Sequence, residues 1–583
     1  MVEEIKKSFD GAEKIGVIGS PSSTGQLTLD VLGTAVNKRL VGNLAVFNYN
    51  QDGNDHYALG QITEIMMQNV WTQDPTMRGL IRQKGRVDPI TERQDTHTAK
   101  MMISSVFGKK ASGFEQSILG TIPSTGTSIK LLDENIMNSI LADYQNELFY
   151  LGKAYGTNIK MPMWFKHFGS GNLGAGEAYH IGVFGKTGSG KSVLAKMIIS
   201  AYAKHKKMSI FVLDPQGEFS QDFLNSSPIQ ETFEKKLNRK IKVFTLHKLV
   251  FDYSDTLFRD LLIISGFFEK LAVYYDDHKP RFVDAFLNTL KGKGTLNQEV
   301  KPWDFYKKEA FDRVWNQIPT DQFLNKVIGT QAPRDRVKSA HESLDSDEMY
   351  KIWLGITNLF RYKGNENIRL SELLEKTEKE GTIVIIDLSE KDIPNTEEIF
   401  WNEKVQFIAI QQFLSKITTQ AEANFKKGGN LNSLVVIDEA HRLAPKEKTD
   451  NENIEKVKFL LIDAIRTTRK YGLGWMFISQ TLSSLHKDII SQIKAYVFGF
   501  GLAWGIERQA LLELIGGQHE SLSLYQMFRD PQSTLGEKEY PFMSFGPISP
   551  LSFSGMPLFF TALKYPEEFF NINFGVKNEN KGE

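Results

Sequence analysis

Apolar positions along the chain change their spacing from region to region, and these changes mark candidate domains. From about Lys14 to Thr157, short apolar runs such as KIGVIG alternate with turns of Gly, Asn and Asp. This pattern is typical of a small β-barrel or β-sandwich. From about Leu173 to Phe500, apolar runs of strand length alternate with amphipathic stretches. Such alternation predicts an α/β fold, in which helices cover both faces of a parallel sheet.

Further differences in spacing divide the chain more finely. The predicted strands of the parallel sheet are YHIGVFG, MSIFVLD, GTIVIIDLS, SLVVIDEA, LGWMFISQ and AYVFGFG. Segments such as RDLLIISGFFEKLAVYY have helical periodicity instead, which predicts a helical insertion. Short runs punctuated by Pro and Gly return near the end of the chain. The predicted segments are a β-barrel (1–157), the first part of the α/β core (158–250), the helical insertion (251–376), the second part of the core (377–516) and a C-terminal segment (517–583).

Composition limits the classes of protein that the chain can represent. Its 583 residues are 41% hydrophobic and 24% charged, which is typical of globular proteins with large cores. The absence of Cys excludes disulfides, thiolate zinc sites and a cysteine nucleophile. Neither a signal peptide nor an apolar run of membrane-spanning length is visible, so a cytoplasmic protein without a membrane partner is expected.

The overall charge is balanced, with 70 Lys and Arg against 70 Asp and Glu. A nucleic-acid partner would therefore be held by a local stripe or an enclosed channel rather than by a global field. One local basic patch lies in the predicted barrel, and we expect it to be a solvated loop. It consists of Arg78, Arg82, Lys84, Arg86 and Arg93.

The segment GKTGSGKS satisfies the phosphate-binding consensus G-x-x-x-x-G-K-[ST]. An apolar strand precedes it and a helix-forming run follows it, which is the context that the motif requires and that a merely structural Gly-rich turn does not. Lys191 is predicted to reach the β- and γ-phosphates of a nucleotide, and Ser192 to ligate Mg²⁺. The predicted nucleotide-contacting residues are Gly185, Lys186, Thr187, Gly188, Ser189, Gly190, Lys191, Ser192 and Val193.

The segment SLVVIDEAHRLAP supplies a pair of carboxylates directly after an apolar strand. The strand would deliver Asp438 and Glu439 beside the phosphate-binding loop. We expect Asp438 to hold the Mg²⁺ and Glu439 to polarise the attacking water as a general base. The helical insertion accounts for much of the long separation between the two motifs.

Two further segments place polar residues at strand ends, where ligands bind in parallel sheets. In IRTTRKYGLGWMFISQ, Gln480 could sense the γ-phosphate or position the water. Arg466 and Arg469 in the same segment are either solvated or an arginine finger for a neighbouring subunit, with Arg469 the better candidate. In FVLDPQGEF, Asp214 and Glu218 are candidates for supporting the water and metal, and Asp214 could equally cap a turn.

Together these motifs resemble the HerA family, hexameric ATPases of the HerA/FtsK superfamily that translocate on DNA. The matching elements, in order, are GEAYHIGVFGKTGSGKS, DPQGEF, IVIIDLS, VVIDEAHRLAP and RTTRKYGLGWMFISQ followed by DIISQI. The resemblance implies a RecA-like P-loop ATPase core with an N-terminal β-barrel domain and a C-terminal brace that packs on a neighbouring subunit. Many relatives carry a basic residue just before the P-loop strand, where this chain offers only His180.

The resemblance also implies a homo-hexamer that uses ATP and Mg²⁺, with double-stranded DNA in its central channel. Only the channel lining would then need positive charge, which agrees with the neutral composition. Two basic runs are candidates for this lining, although each could instead be a solvated face. They supply Arg442, Lys446 and Lys448 in HRLAPKEK, and Arg334, Arg336 and Lys338 in PRDRVK.

Relatives in this family usually work with an effector. The resemblance implies a nuclease, NurA-like or other, or a sirtuin-like protein, docked on the barrel. Because no metal-nuclease constellation is visible here, any cleavage would come from that partner. The long insertion and the lead-in GAGEAYHIG favour a bacterial, antiphage-defence branch over DNA end processing. A conjugation or secretion motor and an ATP-binding scaffold that regulates an effector are the alternative functions.

Overall fold

The computed structural model describes residues 2–85, 94–110, 113–171, 174–223, 228–292, 299–389, 400–552 and 555–575. Within these ranges the strands are β1 (Lys14–Ile18), β2 (Gln26–Val31), β3 (Leu44–Gln51), β4 (Asn54–Asn69), β5 (Asp95–Lys110), β6 (Gly113–Ser117), β7 (Ser128–Leu131), β8 (Phe149–Ala154), β9 (Lys160–Met163), β10 (His180–Phe184), β11 (Ser209–Asp214), β12 (Ile241–Thr245), β13 (Leu249–Val250), β14 (Ile368–Arg369), β15 (Ile383–Asp387), β16 (Ser433–Ile437), β17 (Leu473–Ser479), β18 (Ile493–Gly499), β19 (Pro541–Phe545) and β20 (Leu558–Ala562).

The α-helices in the same ranges are α1 (Val2–Gly11), α2 (Pro75–Lys84), α3 (Glu134–Ile140), α4 (Lys191–Ala203), α5 (Glu218–Phe223), α6 (Pro228–Glu231), α7 (Asp255–Ile264), α8 (Phe267–Lys270), α9 (His278–Leu290), α10 (Lys308–Trp315), α11 (Asp321–Val327), α12 (Gln331–Ser343), α13 (Ser346–Thr357), α14 (Leu370–Glu380), α15 (Glu403–Lys426), α16 (Ala440–Leu443), α17 (Glu452–Thr468), α18 (Lys487–Ile490), α19 (Gly505–Leu514), α20 (His519–Gln526) and α21 (Glu567–Phe574).

The N-terminal region is a β-barrel rather than a sandwich. Its strands follow the order β2-β1-β7-β3-β4-β5, and β5 closes the barrel by pairing antiparallel with β2. Strand β6 extends the sheet from β5. Alternate residues point inward, so that Leu27, Leu29 and Phe47 are buried in a core of its own. The expected turn-separated apolar runs are therefore the strands of a closed barrel.

The basic patch of the barrel is helical rather than a loop. Arg78, Arg82 and Lys84 lie on α2, a helix with no buried residue, so they are solvated as expected. Arg86 and Arg93 lie outside the described residues.

The central sheet has the order β12-β15-β11-β16-β17-β10-β18-β19-β20-β8-β9. Strands β12 to β18 of this order run parallel. Every residue of β10, β11, β15 and β16 is buried. These strands are covered on both faces, which is why their sequences are near-continuously apolar. All six strands predicted for this sheet are present, and β12 is an additional one at its edge.

The other edge of the sheet is antiparallel and joins distant parts of the chain. β19 pairs with β18, β20 with β19, β8 with β20, and β9 with β8. The sequence groups β8 with the barrel, but its hydrogen bonds place it in the central sheet. The C-terminal strands likewise join the sheet of their own chain. Short alternating strands have the same local pattern in a barrel and in a sheet extension, so the pattern does not reveal their pairing partners.

The insertion between β12 and β15 is mainly helical, as its periodicity predicts. Helices α7 to α13 pack around buried aromatic side chains. Phe258 and Trp353, for example, meet edge to face with ring centroids 5.3 Å apart. The short strands β13 and β14 pair where the chain enters and leaves the insertion. Among the described helices, none combines the length and apolarity needed to cross a membrane.

Candidate nucleotide site

The phosphate-binding loop lies between β10 and α4, as predicted. Gly188 and Gly190 have φ values of 81° and 85°, a region that L-residues rarely adopt. Gly190 precedes the first residue of α4, so the N–H groups of the loop and of the helix N-terminus are available to phosphate. The buried Lys191 extends back across the loop, and its Nζ donates to the Lys186 carbonyl at 3.1 Å.

Strand β16 delivers Asp438 and Glu439 to this loop. Both side chains are buried, and the Glu439 N–H donates to Asp438 Oδ1 at 2.9 Å. Burial, reinforced by the neighbouring Glu439 carboxylate, raises the pKa of Asp438 to about 7. Burial lowers the pKa of Lys191, while Glu439, Asp438 and Glu218 oppose that shift. The site thus concentrates negative charge around one lysine.

Gln480 connects the phosphate-binding loop to the carboxylate pair. It follows β17, which lies between the loop strand β10 and the carboxylate strand β16. Its Nε2 donates to Glu439 Oε1 at 2.9 Å, and the Thr187 hydroxyl donates to its Oε1 at 3.1 Å. The strand order therefore explains why residues far apart in sequence meet at one sheet edge.

His441 is a site residue that the sequence analysis did not identify. Its Nδ1 lies 3.4 Å from Glu439 Oε2 and 3.2 Å from the Ser479 hydroxyl. Burial lowers the pKa of His441, and the Glu439 carboxylate opposes that shift. Its position in SLVVIDEAHRLAP, three residues after Asp438, was the feature of the sequence that could have indicated it.

The two candidates at the end of β11 and just beyond it, Asp214 and Glu218, have different roles in the structure. Asp214 is buried and accepts four backbone N–H groups, from residues 217 to 220, at 2.8 to 3.1 Å. It therefore caps the start of α5, the turn-cap alternative. Glu218 reaches the site itself, because the Ser192 hydroxyl donates to its Oε2 at 3.1 Å.

These residues fit a magnesium ion held together with a nucleotide. Ser192, Asp438 and Glu218 supply oxygen donors, which Mg²⁺ prefers, and the acidic cluster would be relieved by a cation. Among the described residues, no three His, Cys, Asp or Glu side chains are placed to hold a metal by themselves. Phosphate oxygens and water would therefore complete the coordination.

Comparison with known proteins agrees with this geometry. The family described as "Helicase HerA, central domain" matches residues 178–417, from the phosphate-binding strand into α15. This part of the chain resembles the HerA central domain. A second family, zonular occludens toxin (Zot), matches residues 362–521. The RecA-like P-loop core predicted from the HerA resemblance is thus present.

Curated relatives extend the HerA similarity at low identity. The DNA double-strand break repair helicase HerA of Saccharolobus solfataricus is 22% identical over 377 residues, which cover 64% of this chain and 62% of that protein. The protein of the same description from Pyrococcus furiosus is 25% identical over 340 residues, covering 54% and 55%. The chain thus spans less than two thirds of the length of these HerA relatives.

Solved structures match less closely. VirB4 of Thermoanaerobacter pseudethanolicus is 13% identical, with 72% of this chain and 97% of that chain covered and a TM-score of 0.38. An overlap of this quality supports no conclusion about function.

The two candidate finger arginines, Arg466 and Arg469, lie on the surface. Arg466 pairs with Asp488 at 3.0 Å and Arg469 with Glu177 at 3.2 Å. The exposed fractions of the two arginine side chains are 55% and 46%. Within the described part of the chain, neither contacts the phosphate-binding loop of its own subunit. Both are accessible to a neighbouring molecule, so the choice between them stays a prediction.

His180 does not replace the basic residue that many HerA relatives carry before the P-loop strand. It is buried, and the Trp475 N–H donates to its Nδ1 at 3.3 Å. Its Nε2 therefore carries the proton and donates to the Ile465 carbonyl at 3.1 Å. Burial lowers the pKa of His180 to about 4. It is a neutral core residue that cannot reach a neighbour's nucleotide.

Some of the basic residues predicted to line a HerA-type channel already have partners within the chain. Arg442 pairs with Glu403 at 3.0 Å, and Lys338 pairs with Asp321 at 2.6 Å. Arg334 is half-buried, and its Nε donates to the Ile328 carbonyl at 2.8 Å. Three others, Arg336, Lys446 and Lys448, are exposed.

Proposed function

We propose that this chain is an ATPase that moves double-stranded DNA through a ring of six copies. The observation that carries the proposal is the convergence of Lys191, Ser192, Asp438, Glu439 and Gln480 at one edge of the parallel sheet. A phosphate-binding loop beside a carboxylate pair and a polar strand end is the arrangement that phosphoryl transfer to water requires.

The chemistry follows from the positions of these residues. The loop N–H groups and Lys191 would hold the phosphates of ATP, and Glu439 would accept the proton of the attacking water. Gln480 contacts both the phosphate-binding loop and Glu439. It is therefore placed to couple nucleotide binding at the loop to the position of the general base Glu439. Asp438 and Ser192 would hold Mg²⁺, which would neutralise phosphate charge when bound.

The DNA part of the proposal rests on the HerA relatives, which are described as DNA repair helicases. The balanced charge of the chain agrees with DNA enclosed in a channel, where few basic side chains suffice. Exposed Arg336, Lys446 and Lys448 are the candidates for phosphate contact, and Arg466 or Arg469 for a finger toward the neighbouring site. Phosphate contacts would make DNA binding weaken steeply with salt.

ATP turnover by the purified protein, with and without linear double-stranded DNA and sized in the same buffer, tests this proposal. We expect DNA to stimulate turnover in a hexamer-sized species. Lys191→Ala should abolish turnover, and Glu439→Gln should bind ATP without hydrolysing it. Turnover that survives both substitutions would refute the assignment of the site. Turnover indifferent to DNA would favour a scaffold that organises an effector.

We further propose that the barrel docks an effector, either a nuclease, NurA-like or other, or a sirtuin-like protein, in antiphage defence or DNA end processing. Helix α2 supports this role, because none of its residues is buried in its own chain. The neighbouring Val70 and Trp71 are exposed as well. Binding of a candidate effector should be lost in Trp71→Ser and kept in Trp504→Ser, since Trp504 is an exposed tryptophan of the core. If both variants bind the effector equally well, this face of the barrel is excluded as the docking site.

A further inference from the structure

A segment of the C-terminal region lies directly against the phosphate-binding loop. We call residues 530–540 the strap. A Cβ atom added at Gly188 would lie 2.1 Å from Nε2 of Gln532, and one added at Gly190 would lie 2.8 Å from Cδ1 of Tyr540. The strap therefore packs on both glycines whose backbone shapes the loop. The local sequence does not predict this contact, because some 340 residues separate the two segments.

The strap holds Gln532 in a fixed position. Asp530 organises a turn, in which its Oδ1 accepts the Gln532 N–H at 3.0 Å and its Oδ2 accepts the Ser533 hydroxyl at 2.8 Å. The Thr534 hydroxyl donates to the Asp530 carbonyl at 3.0 Å. At the other end, the Tyr540 carbonyl accepts the N–H of Ala562 in β20 at 2.9 Å. The turn thus fixes the backbone from which the Gln532 side chain extends toward the loop.

The carboxamide of Gln532 is free to bind a ligand. The side chain is exposed, and among the described residues it makes no hydrogen bond, although its backbone N–H does. Its amide nitrogen is a donor placed beside Gly188, in a loop whose N–H groups bind phosphate. A donor at this position suits a phosphate oxygen.

We propose that Gln532 is a further ligand of the nucleotide phosphates, supplied to the phosphate-binding loop by the strap. This inference rests on the proposed nucleotide site. The competing interpretation is that Gln532 only packs against Gly188. The two differ in chemistry: a phosphate ligand must donate a hydrogen bond or carry positive charge, whereas a packing residue needs only the right shape.

Three substitutions of Gln532 separate these interpretations. Gln532→Ala removes the donor and should raise the Kd for Mg-ATP about ten- to a hundredfold, since a hydrogen bond to a charged group is worth about 1.5–3 kcal/mol. Gln532→Glu keeps the shape but replaces the donor by a negative charge, so it should bind more weakly still. Gln532→Lys should bind at least as tightly as the natural protein, because its ammonium can pair with phosphate.

Calorimetric titration of the full chain with Mg-ATP measures the affinities, and steady-state turnover measures the division between KM and kcat. A ground-state phosphate contact predicts that KM follows the Kd series while kcat changes little. Leu535→Ala is the matched control, because this strap residue is fully exposed, and it should leave both values unchanged. Gln532 is also exposed, so all variants should fold, which circular dichroism checks.

Each outcome decides the matter. Unchanged affinity in Gln532→Glu, or equally weakened binding in Gln532→Glu and Gln532→Lys, would leave only the packing role and overturn the inference. If the natural protein binds ATP and Lys191→Ala does not, the nucleotide site of the proposed function stands whatever the Gln532 series shows. If the natural protein itself fails to bind ATP, the proposed function and this inference are both overturned.

Discussion

At the scale of single residues, the backbone of Glu439 is the most informative feature of the site. Its φ of 50° lies in the left-handed region, which costs a residue with a side chain about 1–3 kcal/mol. Its carboxylate is also buried beside Asp438, whose pKa it helps to raise. Two unfavourable features at one residue, directly after a strand and in contact with Gln480, are characteristic of a functional position.

The sequence reveals the site residues that belong to local motifs and misses those that depend on distant contacts. Lys191, Asp438 and Gln480 follow apolar strands, and parallel strands bring their carboxyl ends to one edge. The cap formed by Asp214 depends on how the following turn folds, so the sequence left it undecided. The contact of Gln532 with the loop requires knowledge of where the C-terminal segment packs.

His180 should make the protein sensitive to mild acid. Its pKa is about 4 in the folded chain, against an ordinary value of 6.5. Between pH 6.5 and 4 the unfolded chain therefore takes up a proton that the folded chain does not, and stability falls as the pH falls. His180→Gln keeps one donor and one acceptor but cannot titrate. From pH 7.5 to pH 5, it should lose about 2 kcal/mol less free energy of unfolding than the natural protein does.

Urea unfolding of both proteins at the two pH values measures this difference. Other titrating groups act in both proteins and largely cancel in the comparison. An equal loss of stability in the natural protein and in His180→Gln would show that His180 is already protonated or solvated in the folded chain.

At the scale of elements, the end of α4 is held by a buried arginine. Arg239 donates from Nη1 to the His205 carbonyl and from Nη2 to the Met208 carbonyl, both at 2.6 Å. These carbonyls lie in the turn after the helix, where backbone acceptors have no helical partner. Because α4 starts at the phosphate-binding loop, Arg239 fixes the far end of the helix that positions Lys191. Burial lowers the pKa of Arg239 to about 10, so it remains charged at neutral pH.

Arg239→Met should therefore lower the free energy of unfolding by about 1–3 kcal/mol, because it leaves the Met208 carbonyl without the Arg239 donor and removes one of two donors to the His205 carbonyl. Chemical denaturation measures the loss. Lys240→Met is the matched control, since the next residue is an exposed cation, and its effect should stay within about 0.5 kcal/mol. Similar losses in the two variants would mean that the carbonyls find other donors.

At the scale of the whole molecule, the central sheet unites segments that the sequence presents as separate. The parallel half could be predicted from its apolar runs, apart from the edge strand β12, whose residues are mostly only half-buried. The antiparallel half could not, because β8 and β9 meet β19 and β20 across nearly the whole chain. The C-terminal strands β19 and β20 thereby lie between β18, the neighbour of the P-loop strand β10, and β8, which follows the barrel in the chain. Strand β20 consequently touches both the core and the barrel.

One buried side chain contributes directly to the contact between barrel and core. Gln61 of β4 is 1% exposed, and its Oε1 accepts the Phe559 N–H of β20 at 2.9 Å. Its Nε2 donates to the Phe559 carbonyl at 3.0 Å and to the Gly42 carbonyl at 2.6 Å. The carboxamide thus pairs with the backbone of the sheet as a neighbouring strand would. This pairing links β4 of the barrel to β20 of the central sheet.

Gln61→Leu keeps a similar volume but leaves the Phe559 N–H and the Gly42 carbonyl buried without this partner. We expect the free energy of unfolding to fall by about 2–4 kcal/mol. Amide exchange at Phe559 should accelerate more than exchange in β10 and β11, because the defect opens the barrel contact and not the parallel sheet. Gln68→Leu, an exposed glutamine on the same strand, is the control and should change neither quantity. If exchange accelerates uniformly in Gln61→Leu, barrel and core unfold as one unit and Gln61 contributes only to global stability. If it accelerates at Phe559 alone, the contact opens independently, and movement of the barrel relative to the ATPase core is accessible to the folded protein.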